Sequence, residues 1–204
     1  MTHDKLPPLD DLASQIILEE QITKALPGLR KDQRTAIFID YNNFYWTLRD
    51  LGVTINMAEL HKVFADRCCL IDSRLYYAFD FQNQTEQDRC DYFANAGFMV
   101  TRKNVVTNHL GQGKGNMDTE LAMDANDVPD NIEHVIIFSG DQDFIPLITK
   151  LRKRFKQVSV CSTRKLQPPV IRFEVIRAAT NFYELTDLLS KIQTNGPKRM
   201  SEHE

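Results

Sequence analysis

The chain has 204 residues, a length that suits one α/β domain with an appendage better than two full domains. With 42% hydrophobic residues, 26% charged residues and a formal charge of −3, it shows no global nucleic-acid signature, so any basic footprint must be local. The four cysteines form no CxxC pair, and no signal peptide or stretch of about 20 apolar residues is present, which predicts reduced thiols in a cytoplasmic protein without a membrane span.

Predicted strands alternate with predicted helices. Helices are expected at 9–26, 43–50, 57–66, 83–96, 118–126 and 181–192. A further helix is expected to follow the strand at 135–138 and to end at about residue 154. Strands are expected at 35–39, 75–79, 98–101, 135–138 and 157–161. This order predicts an α/β fold with a doubly wound, mainly parallel sheet flanked by helices. We divide the chain into an N-terminal helical extension (1–33), the α/β domain (34–190) and a polar tail (191–204). The extra N-terminal helix would suit a homodimer contact or a protein partner.

Two carboxylates follow the apolar strand 135–138. The segment continues as Ser139-Gly140-Asp141-Gln142-Asp143. An apolar run without alternation is typical of a strand covered on both faces, and open α/β sheets bind ligands at the carboxyl ends of their strands. Carboxylates crowded at such an edge repel one another unless protons or a cation intervene, so the segment indicates a divalent metal site.

Two further segments place acids at the same predicted edge. Asp40 closes the first strand, and Asp118 begins a helix that also carries Asp124. If the first strand and the 135–138 strand are neighbours, Asp40, Asp118 and Asp141 can bind Mg²⁺ or Mn²⁺, which prefer oxygen ligands. Alternatively, Asp118 and Asp143 are ordinary helix caps. Asn43 could hold a water or a phosphate oxygen without adding charge.

Three ordered motifs resemble those of the NYN domain family, close to its LabA-like branch. They are Ile37-Phe38-Ile39-Asp40-Tyr41-Asn42-Asn43, Lys114-Gly115-Asn116-Met117-Asp118 with Leu121 and Asp124, and Ser139-Gly140-Asp141-Gln142-Asp143-Phe144 with Leu147. The resemblance covers about residues 34–186 and implies a PIN-like, Rossmannoid fold. The family often has Gly near position 155 and Asp in its final motif, where this chain has Phe155 and Thr180.

The resemblance implies a metal-dependent ribonuclease, and we expect it to be an endoribonuclease. Asp40, Asp118 and Asp141 would be metal ligands and catalytic acids, with Asp143 a fourth catalytic residue beside them. We expect Asn43, Asp124 and Ser139 to position these groups. The implied cofactor is Mg²⁺ or Mn²⁺, and the implied partner is single-stranded or structured RNA.

Candidate RNA contacts come from local cations and aromatic residues. Lys114 lies in a glycine-rich loop that does not match the phosphate-binding GxxxxGK[ST] pattern, and Arg164, Lys165 and Arg172 flank a Pro-Pro loop. A basic rim of this kind would hold a polyanion in a salt-dependent way, although solvated cations would look the same in sequence. Tyr41, Phe44, Tyr45 and Trp46 follow Asp40; one or two could stack on a base, and the others belong in the core.

Two other functions fit the sequence less directly. The same fold with a weak or silent site would serve as an RNA-binding or regulatory module, and Thr180 favours that alternative slightly. A haloacid-dehalogenase-type phosphatase needs Asp-x-Asp after the first strand, where this chain has Asp40-Tyr41-Asn42, and a Toprim domain needs Glu there.

Overall fold

The structure is a computed structural model that describes residues 9–105 and 115–194, with side chains from residue 13 onward. The helices are α1 (Leu9–Ala25), α2 (Tyr41–Leu51), α3 (Met57–Ala65), α4 (Gln84–Asn95), α5 (Asp118–Asn126), α6 (Ile145–Lys153), α7 (Phe173–Ala178) and α8 (Leu189–Ile192). The strands are β1 (Arg34–Asp40), β2 (Cys69–Phe79), β3 (Met99–Asn104), β4 (His134–Phe138), β5 (Gln157–Ser162) and β6 (Asn181–Glu184). Two 3-10 turns, Gln142–Phe144 and Leu185–Asp187, precede α6 and α8.

The six strands form one sheet in the order β3-β2-β1-β4-β5-β6, and every neighbouring pair is parallel. The predicted α/β class with a doubly wound parallel sheet is therefore confirmed. All five residues of β4 are buried, because helices cover both faces of the sheet and leave no solvent side for a polar alternation.

The winding of the sheet reverses between β1 and β4. Chain order runs outward from β1 through β2 to β3 on one side, and from β4 through β5 to β6 on the other. Ile39 pairs with Phe138 in this central ladder, so the residues that follow, Asp40 and Ser139, emerge side by side. In open α/β sheets this switch point opens a crevice at the carboxyl ends of the strands.

Two hydrophobic layers hold the helices on the sheet. One layer packs α1, α2, α3, α4 and α8 against residues such as Ile39 and Phe138, and the other packs α5, α6 and α7 against residues such as Phe38 and Ile137. Because alternate residues of a strand point to opposite faces, β1 supplies side chains to both layers. Both layers stop at the switch point, where the side chains become polar.

The end of the domain differs from the predicted helix at 181–192. Asn181–Glu184 forms β6, which pairs with Ser159–Ser162 of β5, and only Leu189–Ile192 is α-helical. Pairing with an open sheet edge outweighs the apolar spacing that predicted a helix. Two further elements lie outside the predicted boundaries, namely α7 and the first half of β2.

The N-terminal helix α1 packs through its second half. Ile22 and Ala25 are buried in the core, whereas Ile16 and Ile17 are 53% and 57% exposed. Glu19 forms an ion pair with Arg67 at the end of α3. Among the described residues, no helix is long and apolar enough to cross a membrane. The tail from 195 to 204 lies outside the described residues.

Candidate functional site

Asp40 joins β1 to α2. Its backbone is extended, and its Oδ1 accepts a hydrogen bond from the Asn43 amide at 3.2 Å, which caps the first turn of α2. An N-terminal cap of this type satisfies one of the free amides of the helix and places a negative charge at the positive end of its dipole. The β1–α2 junction therefore fixes the Asp40 carboxylate at the crevice.

Ser139 connects Asp40 to the end of β4. Its Oγ donates to Asp40 Oδ2 at 3.1 Å and accepts from the Asp141 amide at 3.2 Å. Asn43 closes the network, because its Oδ1 accepts from the Gly140 amide at 3.0 Å. The predicted positioning residues Asn43 and Ser139 thus link the β1 and β4 ends directly, and the Asn43 oxygen is already used within the protein.

Gly140 is required by a close approach of the backbone. A Cβ at this position would lie well inside van der Waals contact with the carbonyl oxygen of Val170. Val170 belongs to the loop 163–172, which leaves the carboxyl end of β5 and contains the Pro168-Pro169 pair. The loop therefore packs directly on the Ser139–Asp141 turn, at the carboxyl-end edge of the sheet.

The two aspartates after β4 have different local roles. Asp141 caps the 3-10 turn, because its Oδ1 accepts from the Asp143 amide at 2.9 Å. Asp143 is exposed and lies inside that turn, so the cap that the sequence assigned to Asp143 belongs to Asp141. The Asp143 side chain lines a cavity that Asp118 also lines.

Asp118 approaches from the first turn of α5. It is not a cap, since the cap position is Met117, which makes no side-chain cap bond. Its Oδ2 accepts from Asn116 Nδ2 at 2.7 Å. The carboxylate lies in the first turn of the helix, where the dipole favours negative charge.

The aspartates at this edge of the sheet affect one another electrostatically. Burial, followed by the Asp118 and Asp141 charges, raises the pKa of Asp40 to about 6, against the opposing hydrogen bonds from Asn43 and Ser139. Burial, followed by the charges of Asp141 and Asp143, also raises the pKa of Asp118. We call Asp40, Asp118, Asp141 and Asp143 the acidic centre, because each lies within electrostatic range of another member.

The donor set of the acidic centre suits a hard cation. Within residues 9–105 and 115–194, no group of three or more His, Cys, Asp or Glu side chains is arranged to hold a metal ion by itself. Mg²⁺, however, keeps several waters and commonly uses only one or two protein carboxylates. The centre offers oxygen donors alone, and a cation would offset the repulsion that raises the pKa values of Asp40 and Asp118.

A cavity of about 560 Å³ adjoins the acidic centre between α5 and α6. Asp118, Asp143 and Lys150 are among the residues that line it. Lys150 is exposed and forms no ion pair with any residue that the structure describes. The cavity lining therefore combines carboxylates with an available cation.

Asp124 is held apart from the acidic centre. Its Oδ2 accepts from Tyr76 Oη at 2.7 Å and lies 3.1 Å from Arg74 Nη1, so it anchors α5 to β2. These partners explain why Asp124 belongs to the motif that begins at Lys114, without a direct role for Asp124 in binding metal. The prediction that Asp124 positions the site would then hold only through the placement of α5.

The predicted RNA-binding cations divide into paired and unpaired groups. Arg164 and Lys165 form partly exposed ion pairs with Glu184 and Asp187. Arg172 is exposed at the start of α7 and forms no ion pair within the described part of the chain. Lys114 lies outside the described residues.

Two asparagines that received no role from the sequence hold the site together. The side chain of Asn42 donates to the Ala78 carbonyl and accepts from the Ala78 amide, both at 3.0 Å, and so ties α2 to the end of β2. Asn116 holds the Asp118 carboxylate. The signal available in the sequence was their position beside Asp40 and Asp118 within the same motifs.

Comparison with known proteins agrees with this architecture. The NYN domain family model matches residues 34–189. A Synechococcus elongatus protein described as low amplitude and bright protein LabA is 25% identical over 170 residues, covering 80% of this chain and 89% of that protein. The crystal structure of a Vibrio parahaemolyticus protein of unknown function aligns with a TM-score of 0.68 and 23% identity, over 80% of this chain and 97% of the other. The chain therefore belongs to the NYN domain family.

Proposed function

We propose that the chain is a metal-dependent ribonuclease that hydrolyses RNA phosphodiester bonds at the acidic centre, as an endoribonuclease. The observation that carries the proposal is the convergence of the Asp40, Asp118 and Asp141 charges at the sheet switch point, together with a hydrogen-bond network that holds two of them. NYN domain proteins are generally nucleases, which supports the same reaction class.

The aspartates of the acidic centre and Ser139 would have separate roles in the reaction. Asp40, Asp118 and Asp141 would hold Mg²⁺ or Mn²⁺, which lowers the pKa of a bound water and stabilises charge on the phosphate. Ser139 orients the Asp40 carboxylate and holds the backbone of Asp141, because it accepts from the Asp141 amide. Asp143 lines the α5–α6 cavity and caps no helix, so its carboxylate would accept a hydrogen bond from the attacking water.

The α5–α6 cavity offers a path for the substrate strand. A polyanion is repelled by four carboxylates unless cations offset them, and Lys150 lines the same cavity as Asp118 and Asp143. Arg172 stands beside the loop that packs on Gly140. RNA binding through these two residues predicts an affinity that falls as salt is raised.

The test is cleavage of a fluorescent single-stranded RNA and a structured RNA with Mn²⁺ or Mg²⁺, with and without EDTA. We expect Asp40→Asn and Asp141→Asn to lose at least about 100-fold in rate, since each removes a group that acts on the reacting phosphate. Asp91→Asn, an exposed acid of α4, is the matched control and keeps full activity. Activity that persists in EDTA and in both site variants would refute the mechanism.

A binding module without turnover is the second candidate. It is favoured by the lack of a preassembled metal group within the described residues. Thr180 no longer adds to it, because Thr180 Oγ1 accepts from the Val158 amide near the start of β5, at the opposite edge of the sheet. Tight RNA binding without cleavage, across several metals and substrates, would select this candidate.

A further inference from the structure

A second cavity, of about 270 Å³, lies between α2, α4 and the segment 53–57. We call it the α2–α4 cavity, and its lining includes Tyr41, Tyr45, Arg49, Arg89 and Tyr92. The acidic centre uses none of these side chains. Their combination of aromatic rings and guanidinium groups offers a ligand both stacking faces and hydrogen-bond donors.

The inner wall of the cavity is rigid. Tyr41 is 7% exposed, and its ring lies 4.6 Å from those of Tyr77 and Phe93, in edge-on and tilted contacts. Tyr45 is half-buried, and the Arg89 guanidinium lies 5.6 Å from its ring centre. Arg89 is itself fixed, since it donates to Glu86 at 2.7 Å and to Tyr77 Oη at 3.1 Å.

The outer rim is open to solvent. Trp46 is 49% exposed, next to Tyr45, with a ring separation of 5.5 Å. The Arg49 guanidinium stacks 3.8 Å from the indole centre and also meets Asp50 at 3.3 Å in a half-exposed pair. An exposed pair of this kind stabilises little, so Arg49 can exchange Asp50 for another acceptor at low cost.

The chemistry of the lining selects a flat, polar ligand. Tyrosine rings offer faces for stacking, and two guanidinium groups offer donors to carbonyl oxygens and ring nitrogens. Nucleobases combine a π face with such acceptors, whereas a cationic ligand would be repelled by Arg49 and Arg89. Stacking of this kind tolerates any base, because every base has a π face.

The cavity extends along α2 from the start of the helix. Tyr41 directly follows Asp40, and Arg49 lies eight residues further along α2, a rise of about 12 Å. We propose that the α2–α4 cavity is a base-binding subsite that receives a nucleotide of the RNA strand bound at the acidic centre. The proposal rests on the proposed ribonuclease function, but it makes a separate claim, because base binding requires no metal and no catalysis.

The single tryptophan of the chain provides the readout. Trp46 is the only tryptophan, and its ring contacts Tyr45 and Arg49, which line the cavity. The full chain in EDTA is titrated with AMP, with UMP and with a short single-stranded RNA, while intrinsic fluorescence is recorded. Ribose 5-phosphate, which carries the phosphate and sugar without a base, is the matched control ligand. We expect the mononucleotides and the RNA to change the Trp46 emission and ribose 5-phosphate to leave it unchanged.

Two variants test the assigned side chains. Tyr45→Leu keeps an apolar group in the wall but removes the stacking face, and we expect RNA affinity to fall about 5- to 100-fold. Arg49→Gln removes the mobile donor, and a smaller decrease is expected. Phe155→Leu, an exposed aromatic at the far edge of the sheet, is the control for a generic aromatic loss and binds as the unaltered chain does. Thermal unfolding of each variant establishes that it is folded before it is titrated.

The outcomes separate this proposal from the ribonuclease mechanism. Base binding without any cleavage in Mn²⁺ would refute the mechanism and leave the subsite intact. Cleavage that is equally efficient in Tyr45→Leu, with mononucleotide and RNA binding also unchanged, would overturn the subsite and leave the mechanism intact. Binding of ribose 5-phosphate as tight as that of AMP would also overturn it, because the cavity would then recognise phosphate. With both claims correct, Tyr45→Leu raises the KM for RNA and leaves kcat within about twofold.

Discussion

Replacing Asp40 by Asn should stabilise the metal-free protein while it abolishes activity. The folded-state pKa of Asp40 is raised to about 6 from its ordinary value of 3.8, mainly by burial. The stabilising contribution of a group with a raised pKa is present below its unfolded pKa and is lost as the pH rises through its folded pKa. At pH 7.5 the ionised carboxylate therefore costs folding free energy, and a neutral amide does not carry this cost.

The structure sets the size of the effect. A shift of about two pKa units corresponds to about 3 kcal/mol, and partial contact with solvent reduces the expected gain to about 1–2 kcal/mol. The Asn side chain can keep both contacts, because its oxygen can accept from the Asn43 amide and its NH₂ can donate to Ser139 Oγ. The free energy of unfolding is measured by urea titration in EDTA, at pH 7.5 and at pH 4.5, beside Asp91→Asn as control.

We expect the full gain from Asp40→Asn at pH 7.5 and about a third of it at pH 4.5, because pH 4.5 lies between the ordinary pKa of 3.8 and the folded-state pKa of about 6. Mn²⁺ should then raise the melting temperature of the unaltered chain more than that of Asp40→Asn, since a ligand stabilises only a protein that binds it. A variant that is less stable than the unaltered chain at pH 7.5, by as much as at pH 4.5, would refute the electrostatic reasoning. It would show that the cap and the Ser139 bond, rather than the charge, dominate at this position.

Three other substitutions test separate parts of the fold. Gly140→Ala should lower the free energy of unfolding by about 1–3 kcal/mol in urea titrations, because the alanine methyl group would collide with the Val170 carbonyl. An unchanged free energy of unfolding would contradict this close approach. Phe155→Gly should raise the melting temperature and the free energy of unfolding, the latter by about 1 kcal/mol, because Phe155 has a φ of 61° and is 97% exposed. A lower melting temperature would mean that the Phe155 ring makes stabilising contacts. His134 is buried, and burial lowers its pKa from 6.5 to about 3. The folded protein therefore holds His134 in its neutral form, and the stability of the fold decreases as the pH drops below about 6.5. Between pH 7 and pH 5 the unaltered chain should lose about 2 kcal/mol relative to His134→Gln in urea titrations, and parallel pH profiles would contradict this.

The central part of the fold was predictable because its signal is local. β4 is a continuous apolar run, and Asp40 and Asp141 follow their strands directly, so the edge on which they lie follows from parallel topology. That β1 and β4 are neighbours was a requirement of the hypothesis, and no residue of either strand specifies it. The pairing depends on the whole sheet, which the structure supplies.

Elements at the margins of the sheet were predicted less well. The segment Asn181–Glu184 carries apolar residues at a spacing that also fits a helix, and it becomes a strand only because β5 presents an open edge. The first part of β2 was missed, because Asp72 and Arg74 interrupt its apolar pattern. In the structure those two side chains pair with each other at 2.7 Å, so the strand carries charge without leaving it unpaired.

The sequence names candidate residues for the site, but it does not give their contacts. Sequence spacing identified the four aspartates, yet the assignment of the cap to Asp141 instead of Asp143 depends on the 3-10 turn before α6. The basic residues between positions 150 and 177 also differ in their roles. Lys156 is buried, and its Nζ donates to three carbonyls of the loop 129–132 at 2.6–3.1 Å, so it serves the fold and not a nucleic-acid surface.

Location of Mn²⁺ by its anomalous scattering in crystals of the protein tests the central claim most directly. The account predicts at least one Mn²⁺ peak between β1, β4 and α5, within ligand distance, directly or through one water, of Asp40, Asp118 and Asp141. The peak should be absent from crystals of Asp141→Asn grown and soaked in the same way. Mn²⁺ bound elsewhere, or no Mn²⁺ in crystals soaked at concentrations that support cleavage in solution, would contradict the assignment of the acidic centre.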